Sequence, residues 1–204
     1  MLSLPKLYPI TDARLTGLSH AEQVERLAAG GATLIQLRDK TASPRDFYEA
    51  ALVAMKIARA LNVRIIINDR LDVAAAVRAD GVHLGQDDLP PDRARAVLPQ
   101  GAIIGFSTHN LKQALEADST SADYIAFGPV FATSTKENPD PVVGLDQLAE
   151  IKRHVSKPLV AIGGITLERA PSVIEAGAAS VAVISDLYSS GDIAARTVAF
   201  ISRL

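Results

Sequence analysis

Two carboxylate-bearing segments stand close together in this sequence. The first reads Arg64-Ile65-Ile66-Ile67-Asn68-Asp69-Arg70, the second Gly81-Val82-His83-Leu84-Gly85-Gln86-Asp87-Asp88. Each holds an apolar run that stops on oxygen-bearing side chains, Asn68-Asp69 in the first and Gln86-Asp87-Asp88 in the second. A run of β-branched residues is the pattern of a strand buried on both faces, as in a parallel sheet. Between the two, residues 71–79 are rich in Ala and Val at helical spacing. The unit is therefore strand, helix, strand, and both strands end at one edge. Adjacent parallel strands lie about 4.8 Å apart, so Asp69 and Asp88 can share a divalent cation. Hard oxygen ligands of this kind suit Mg²⁺, which takes one or two carboxylates and completes its shell with phosphate oxygens and water. Asp after a strand is also a common cap or turn former. Two such ends in consecutive units, with Asn68 and Gln86 beside them, favour a site.

Other strand ends carry compatible groups. Gln36, Arg38 and Lys40 alternate, which puts two cations and an amide on one face. They suit a phosphoryl or diphosphate group, with Arg38 able to grip oxygens in a fork. Thr133-Ser134-Thr135-Lys136 is a hydroxyl-rich loop with one cation, a composition that binds phosphate. Gly163-Gly164-Ile165 and Val183-Ile184-Ser185 offer backbone N–H groups at a close approach, to which a following helix N-terminus would add its dipole. His83 and His109 could each be a base, but a lone histidine is more often structural, and their roles stay open. There is no Ser-His-Asp ordering, no HExxH and no GxGxxG after the first strand, which disfavours hydrolase, zinc protease and dinucleotide readings.

The elements that must position these residues follow one rhythm. Apolar runs at 7–10, 33–37, 64–68, 81–84, 102–106, 123–127, 158–162 and 179–184 read as strands, each followed by a helical stretch. Ser43-Pro44 is a helix start with its cap and its N1 proline. Eight strand–helix units predict an α/β fold, a (β/α)₈ TIM barrel, as a single domain over residues 1–204. In that fold the active site gathers where the strands end, and loops after strands seven and eight recur as a phosphate site. The 204 residues are 48% hydrophobic and 22% charged, enough apolar mass for a sizeable core. A net charge of -2 gives no electrostatic case for nucleic acid. The chain has no cysteine, which excludes disulfides and thiolate metal sites. No uncharged apolar run reaches the roughly 18 residues needed to span a bilayer, and the N-terminus lacks the pattern of a signal peptide. The expectation is a cytoplasmic protein with no membrane partner. A homo-oligomer is compatible with the sequence.

The residues now assembled carry a resemblance. Gln36-Leu37-Arg38-Asp39-Lys40, Ile67-Asn68-Asp69, His83-Leu84-Gly85-Gln86-Asp87-Asp88, Gly105-Phe106-Ser107, Gly128-Pro129-Val130-Phe131 through Lys136, Ile162-Gly163-Gly164-Ile165 and Ile184-Ser185 occur in order at successive strand ends. The chain resembles the thiamine phosphate synthase family over its full length, within a superfamily that also holds thiazole tautomerases. The resemblance implies a Mg²⁺-dependent transferase of thiamine biosynthesis with two small-molecule substrates, a pyrimidine diphosphate and a thiazole phosphate. It implies Asp69 and Asp88 as metal ligands. It places Gln36, Leu37, Arg38, Asp39, Lys40, Asn68, Ser107 and Lys136 on the pyrimidine diphosphate. Thr133, Ser134, Thr135, Gly164, Ile184 and Ser185 would hold the thiazole phosphate. Arg38, Lys40 and Lys136 would act on the leaving diphosphate. The departures are mild: Ala132 stands where a proline is common, and the loop from Glu137 to Val143 is acidic and proline-rich. A tautomerase of this kind carries a histidine after the strand-six glycine, where this chain has Pro129, and tends to lose the metal residues. A catalytically silent phosphate-ligand sensor is the reading from another class. The polar stretch from Thr133 to Val143 reads as a lid, mobile when empty and ordered over substrate.

Overall fold

Apolar β-branched runs flanked by turn residues fold into eight short strands: β1 (Leu7–Pro9), β2 (Leu34–Leu37), β3 (Arg64–Asn68), β4 (Gly81–Leu84), β5 (Ile103–Thr108), β6 (Tyr124–Phe127), β7 (Leu159–Ile162) and β8 (Ser180–Val183). The computed structural model describes residues 3–133 and 140–204. All neighbouring strands pair in parallel, in the order β1-β8-β7-β6-β5-β4-β3-β2. A bridge between Ile10 and Gln36, with the Thr11 N–H donating to the Gln36 carbonyl at 2.9 Å, joins the two outer strands and closes the barrel. The expected single-domain (β/α)₈ architecture is the one observed.

Helices follow the strands: α1 (Ala13–Thr16) and α2 (His20–Ala29), α3 (Pro44–Ala60), α4 (Leu71–Val77), α5 (Pro91–Val97), α6 (Leu111–Asp118), α7 (Gly144–His154), α8 (Ala170–Glu175) and α9 (Ile193–Arg203). The Ser43 hydroxyl accepts from the Asp46 N–H at 3.2 Å with Pro44 in the first turn, the cap expected for α3. Local hydrogen bonding sets the boundaries of three elements. Asp12 does not simply end β1; it caps the short α1. The helix after β7 begins at Ala170, because Thr166 to Arg169 form a separate turn. The last helix is split into a 3₁₀ turn (Ser185–Tyr188) and α9, which the Asp192 side chain caps.

Two cores result from the period-two alternation of the strands. Ile65 and Ile67 face outward and pack under the helices, whereas Ile66 faces the barrel axis. The inner cluster comprises Tyr8, Ile10, Leu34, Ile66, Ile103, Tyr124, Ala126, Val160 and Ala182. One pleat further along their strands, the inward positions become Gln36, Asn68 and His83, all buried. The barrel axis is thus apolar where the strands enter and polar where they leave, and the site stands on that polar end.

The ring of helices is completed by α9, which packs against α2 and α8 and inserts the fully buried Phe200 into the outer core. Replacing a buried Phe by Ala leaves a cavity that a packed barrel cannot refill, with a typical loss of about 3–5 kcal/mol. Phe200→Ala is expected to lower the unfolding free energy by that amount, read as a lower urea midpoint at an unchanged m-value; a loss below about 1 kcal/mol, the scale of an average substitution, would contradict this packing role.

Candidate active site

A pocket of about 530 Å³ opens at the carboxyl ends of the strands. Its lining draws on every strand end, from Ile10 after β1 to Ile184 and Ser185 after β8. Among the described residues, the predicted site residues that it brings together are Gln36, Arg38, Lys40, Asn68, Asp69, Asp88, Ser107, Thr133, Gly164, Ile184 and Ser185. Leu37 and Asp39, expected among the substrate contacts, are not in the lining. The pleat turns Leu37 into the outer core. Asp39 is occupied as a turn former, accepting from the N–H groups of Thr41 at 2.9 Å and Ala42 at 2.8 Å. Ser134, Thr135 and Lys136 lie outside the described residues, as does most of the segment read as a lid.

The carboxylate pair forms one wall. Asp69 directly follows β3 at φ +59°, a left-handed conformation that Asp tolerates better than most residues. Its N–H donates to the His83 carbonyl at 2.7 Å, which locks the end of β3 to β4. Its side chain pairs with the Lys40 ammonium. The Asp88 carboxylate accepts from the Gly85 N–H at 2.7 Å. Burial, and then the nearby Asp69 charge, push the Asp88 carboxyl up, against the pull of the Gly85 N–H. A buried carboxyl raised by a neighbouring carboxylate is a place where a cation is favoured. Among the described residues no group of three or more His, Cys, Asp or Glu side chains converges. A pair of carboxylates fits Mg²⁺ rather than a metal that needs a full protein cage, since Mg²⁺ takes the rest of its shell from phosphate and water.

Arg38 is held by a second network behind the rim. Its guanidinium donates to Asp12 at 3.1 Å, and both side chains are largely buried. The Thr11 hydroxyl accepts from the Arg38 N–H at 3.3 Å and meets His20 Nδ1 at 2.7 Å. His20 Nε2 stands 3.5 Å from Asp39, and burial pushes the imidazole toward its neutral form.

The opposite wall is built from loops. Gly163 and Gly164 have φ of +100° and +60°, and a Cβ on either would collide with Pro129 or with the Ala132 carbonyl. Only glycine allows the loops after β6 and β7 to touch there. Arg169, which the sequence reading missed, donates to the Gly164 carbonyl at 2.9 Å and lies over the Phe131 ring at 4.7 Å. After β7 the expected helix N-terminus is set back, because α8 starts only at Ala170, whereas after β8 a 3₁₀ turn starts at Ser185 itself. His109 is a tie rather than a free base: its Nδ1 donates to the Gly128 carbonyl at 2.7 Å and its Nε2 stands 3.5 Å from Asp140.

The floor is a buried hydrogen-bonded series. Gln36 Nε2 donates to the Tyr8 hydroxyl at 3.1 Å, Tyr8 meets the Tyr124 hydroxyl at 3.0 Å, Tyr124 meets His83 Nδ1 at 2.9 Å, and His83 Nε2 meets the Ser107 hydroxyl at 2.8 Å. Burial lowers the His83 pKa to about 4, so its ring is neutral near pH 7, and burial raises both tyrosines, so neither ionises. The Asn68 amide nitrogen is buried beside this floor with no partner among the described residues.

Fold and site together define a (β/α)₈ barrel with a pocket of charged and polar side chains at its mouth. Comparison with known proteins carries this further. The family model described as thiamine monophosphate synthase matches residues 7–187. A thiamine-phosphate synthase of Clostridium novyi is 47% identical over 95% of this chain and 97% of its own length. One from Koribacter versatilis is 50% identical over 91% and 90%. The structure of a thiamine phosphate pyrophosphorylase from Pyrococcus furiosus superposes with a TM-score of 0.87 at 39% identity, covering 97% of this chain and 94% of that one. The chain belongs to the thiamine monophosphate synthase family and is a transferase. No described helix is long and apolar enough to cross a membrane.

The Asp39 turn yields a test of the support behind Arg38. Although burial opposes ionisation, the Thr41 and Ala42 N–H groups and the Thr41 hydroxyl hold the Asp39 carboxyl below its ordinary range. A folded-state pKa below the unfolded one stabilises in full above about pH 4 and is lost as pH falls through the depressed value. Asp39→Ala is expected to destabilise by roughly 1–3 kcal/mol at pH 7, with the gap to the parent protein closing in acid. A gap that persists unchanged at pH 2 would contradict this role.

Proposed function

We propose that this enzyme joins a pyrimidine bearing a diphosphate leaving group to a thiazole phosphate, releasing thiamine phosphate and diphosphate. The observation that carries the reading is the arrangement of the mouth: Asp69, Asp88, Lys40 and Arg38 on one wall, and the Gly163–Gly164 loop with Ser185 on the other, in one pocket. The first wall suits a diphosphate and the second a single phosphate.

Asp69 and Asp88 would hold Mg²⁺, whose charge, when bound, neutralises the departing diphosphate. Arg38 and Lys40 add donors to the same oxygens. Lys136 is proposed to join them from the loop after β6. The C–O bond to the diphosphate breaks first, leaving a resonance-stabilised methylene cation on the pyrimidine. The thiazole nitrogen then supplies the electron pair for the new C–N bond. No strong base is required, which agrees with a floor of neutral groups: His83, Tyr8 and Tyr124 stay uncharged. The apolar side chains of Ile10, Pro129, Ile162, Ile165, Val183 and Ile184 line the pocket and keep water from the cation. Gln36, Asn68 and Ser107 address the pyrimidine half, and the unpaired Asn68 amide is a donor awaiting an acceptor. Thr133, Ser134, Thr135, Gly164, Ile184 and Ser185 are proposed to hold the thiazole phosphate.

A turnover assay with both substrates tests the reading. Thiamine phosphate should form with Mg²⁺ and not in excess chelator. Asp69→Ala or Asp88→Ala should lose roughly 10²–10³-fold in kcat, the range seen when a preorganised electrostatic group is removed. Full activity in chelator, or near-parent activity of both variants, would overturn it.

A further inference from the structure

The floor series has a direction, and the direction has a consequence for the pocket. Its ends are Gln36 and Ser107, both in the pocket lining. Its middle is inaccessible: Tyr8 is 1% exposed and Tyr124 0%. Across three strands, His83, Gly105 and Tyr124 share one register. A Cβ on Gly105 would stand 2.1 Å from the Tyr124 ring and 2.5 Å from His83 Nδ1. With no side chain there, the two rings stack over the gap at 5.6 Å and bond to each other. Tyr8 then meets Tyr124 edge-on at 6.0 Å. The two tyrosines at its centre have no alternative partners in solvent.

Hydrogen-bond stoichiometry fixes its sense. The Gln36 amide nitrogen can only donate, so the Tyr8 oxygen accepts from it and spends its single proton on Tyr124. Tyr124 spends its single proton on His83 Nδ1. A neutral imidazole that accepts at Nδ1 carries its proton on Nε2, and that proton goes to the Ser107 oxygen. The Ser107 carbonyl is already taken by Gln86. The Ser107 hydroxyl proton is therefore left for the pocket.

We propose that Tyr8, Tyr124 and His83 are positioning residues: they form a one-way hydrogen-bond chain that holds His83 as the Nε2–H tautomer and presents the Ser107 hydroxyl to the substrate as a donor. Run in the opposite sense, the same atoms would turn the Ser107 proton inward and show the substrate a lone pair. The chain thus selects for an acceptor on the bound molecule, an unprotonated ring nitrogen or a diphosphate oxygen. Only the identity of that molecule rests on the function proposed above; the tautomer does not.

The test is read on the enzyme without substrates. In protein labelled with ¹⁵N-histidine, long-range proton–nitrogen correlation reports which ring nitrogen carries the proton, with the His83 signals assigned by their absence in His83→Gln. The expected result is a protonated Nε2 and an unprotonated Nδ1. In Tyr124→Phe, Nδ1 loses its donor and an Nδ1–H fraction should appear, with kcat down roughly tenfold, the worth of about one neutral hydrogen bond, and an unchanged KM for the thiazole phosphate. In Tyr8→Phe the donor that fixes the sense of Tyr124 is gone, so an Nδ1–H fraction should appear there too, and a pure Nε2–H form would remove Tyr8 from the chain. An Nδ1–H tautomer in the parent protein overturns the proposal, as does a fall in the kcat of Tyr124→Phe with the tautomer intact, which would mark a packing effect alone. Should Tyr124→Phe fail to fold, the parent tautomer and Tyr8→Phe still decide it. Absence of thiamine phosphate formation with the expected tautomer would count against the proposed reaction and leave the chain standing.

Discussion

The Asp69 carboxylate opposes ionisation of the Asp88 carboxyl beside it, and much of the mouth of this barrel is arranged around that repulsion. Asp69 sits at a strained backbone position that the β3–β4 junction enforces through its N–H. Lys40 answers its charge from the next strand end. Asp88 is steadied by a backbone N–H from its own turn, yet its carboxyl remains pushed up by burial and by Asp69. Such a pair is worse off alone than with a cation between its members. In the proposed reaction a substrate and its counter-ion would relieve that penalty, in the way folded proteins commonly store strain at a site.

The barrel makes this arrangement possible. Parallel strands joined by helices deliver every strand end to the same mouth, so residues distant in the chain meet without long loops. Period-two alternation then divides each strand between two environments. Ile65 and Ile67 anchor the helices while Ile66 and Asn68 face the axis, the first in the apolar plug and the second on the polar floor. The same division explains why Leu37, between Gln36 and Arg38, belongs to the core and leaves its neighbours to the pocket.

The eight-fold alternation was readable in the sequence because strands buried on both faces leave uninterrupted apolar runs with polar stops. The same stops marked the strand-end groups that the structure now gathers, among them Asp69, Asp88, Lys40 and Gly164. Details that depend on local hydrogen bonding were not readable: Asp12 capping a short helix, the turn ahead of α8, the 3₁₀ step after β8. β5 runs on to Thr108, past the expected end at Phe106, so Ser107 belongs to a strand and has a fixed direction. The floor was hidden for a stronger reason. Tyr8 and Tyr124 lie 116 residues apart in the chain, and His83 reaches Tyr124 only because Gly105 between them has no side chain. A buried tyrosine must find a partner for its hydroxyl, but which partner is a property of the closed barrel.

The claim that the carboxylate pair takes a metal together with a diphosphate is tested most directly by binding, without turnover. Calorimetric titration with inorganic diphosphate should show tight association in the presence of Mg²⁺, a large loss of affinity in chelator, and the same loss in Asp69→Asn with Mg²⁺ present. Diphosphate that binds equally well with and without Mg²⁺, and equally to the parent protein and Asp69→Asn, would contradict the account.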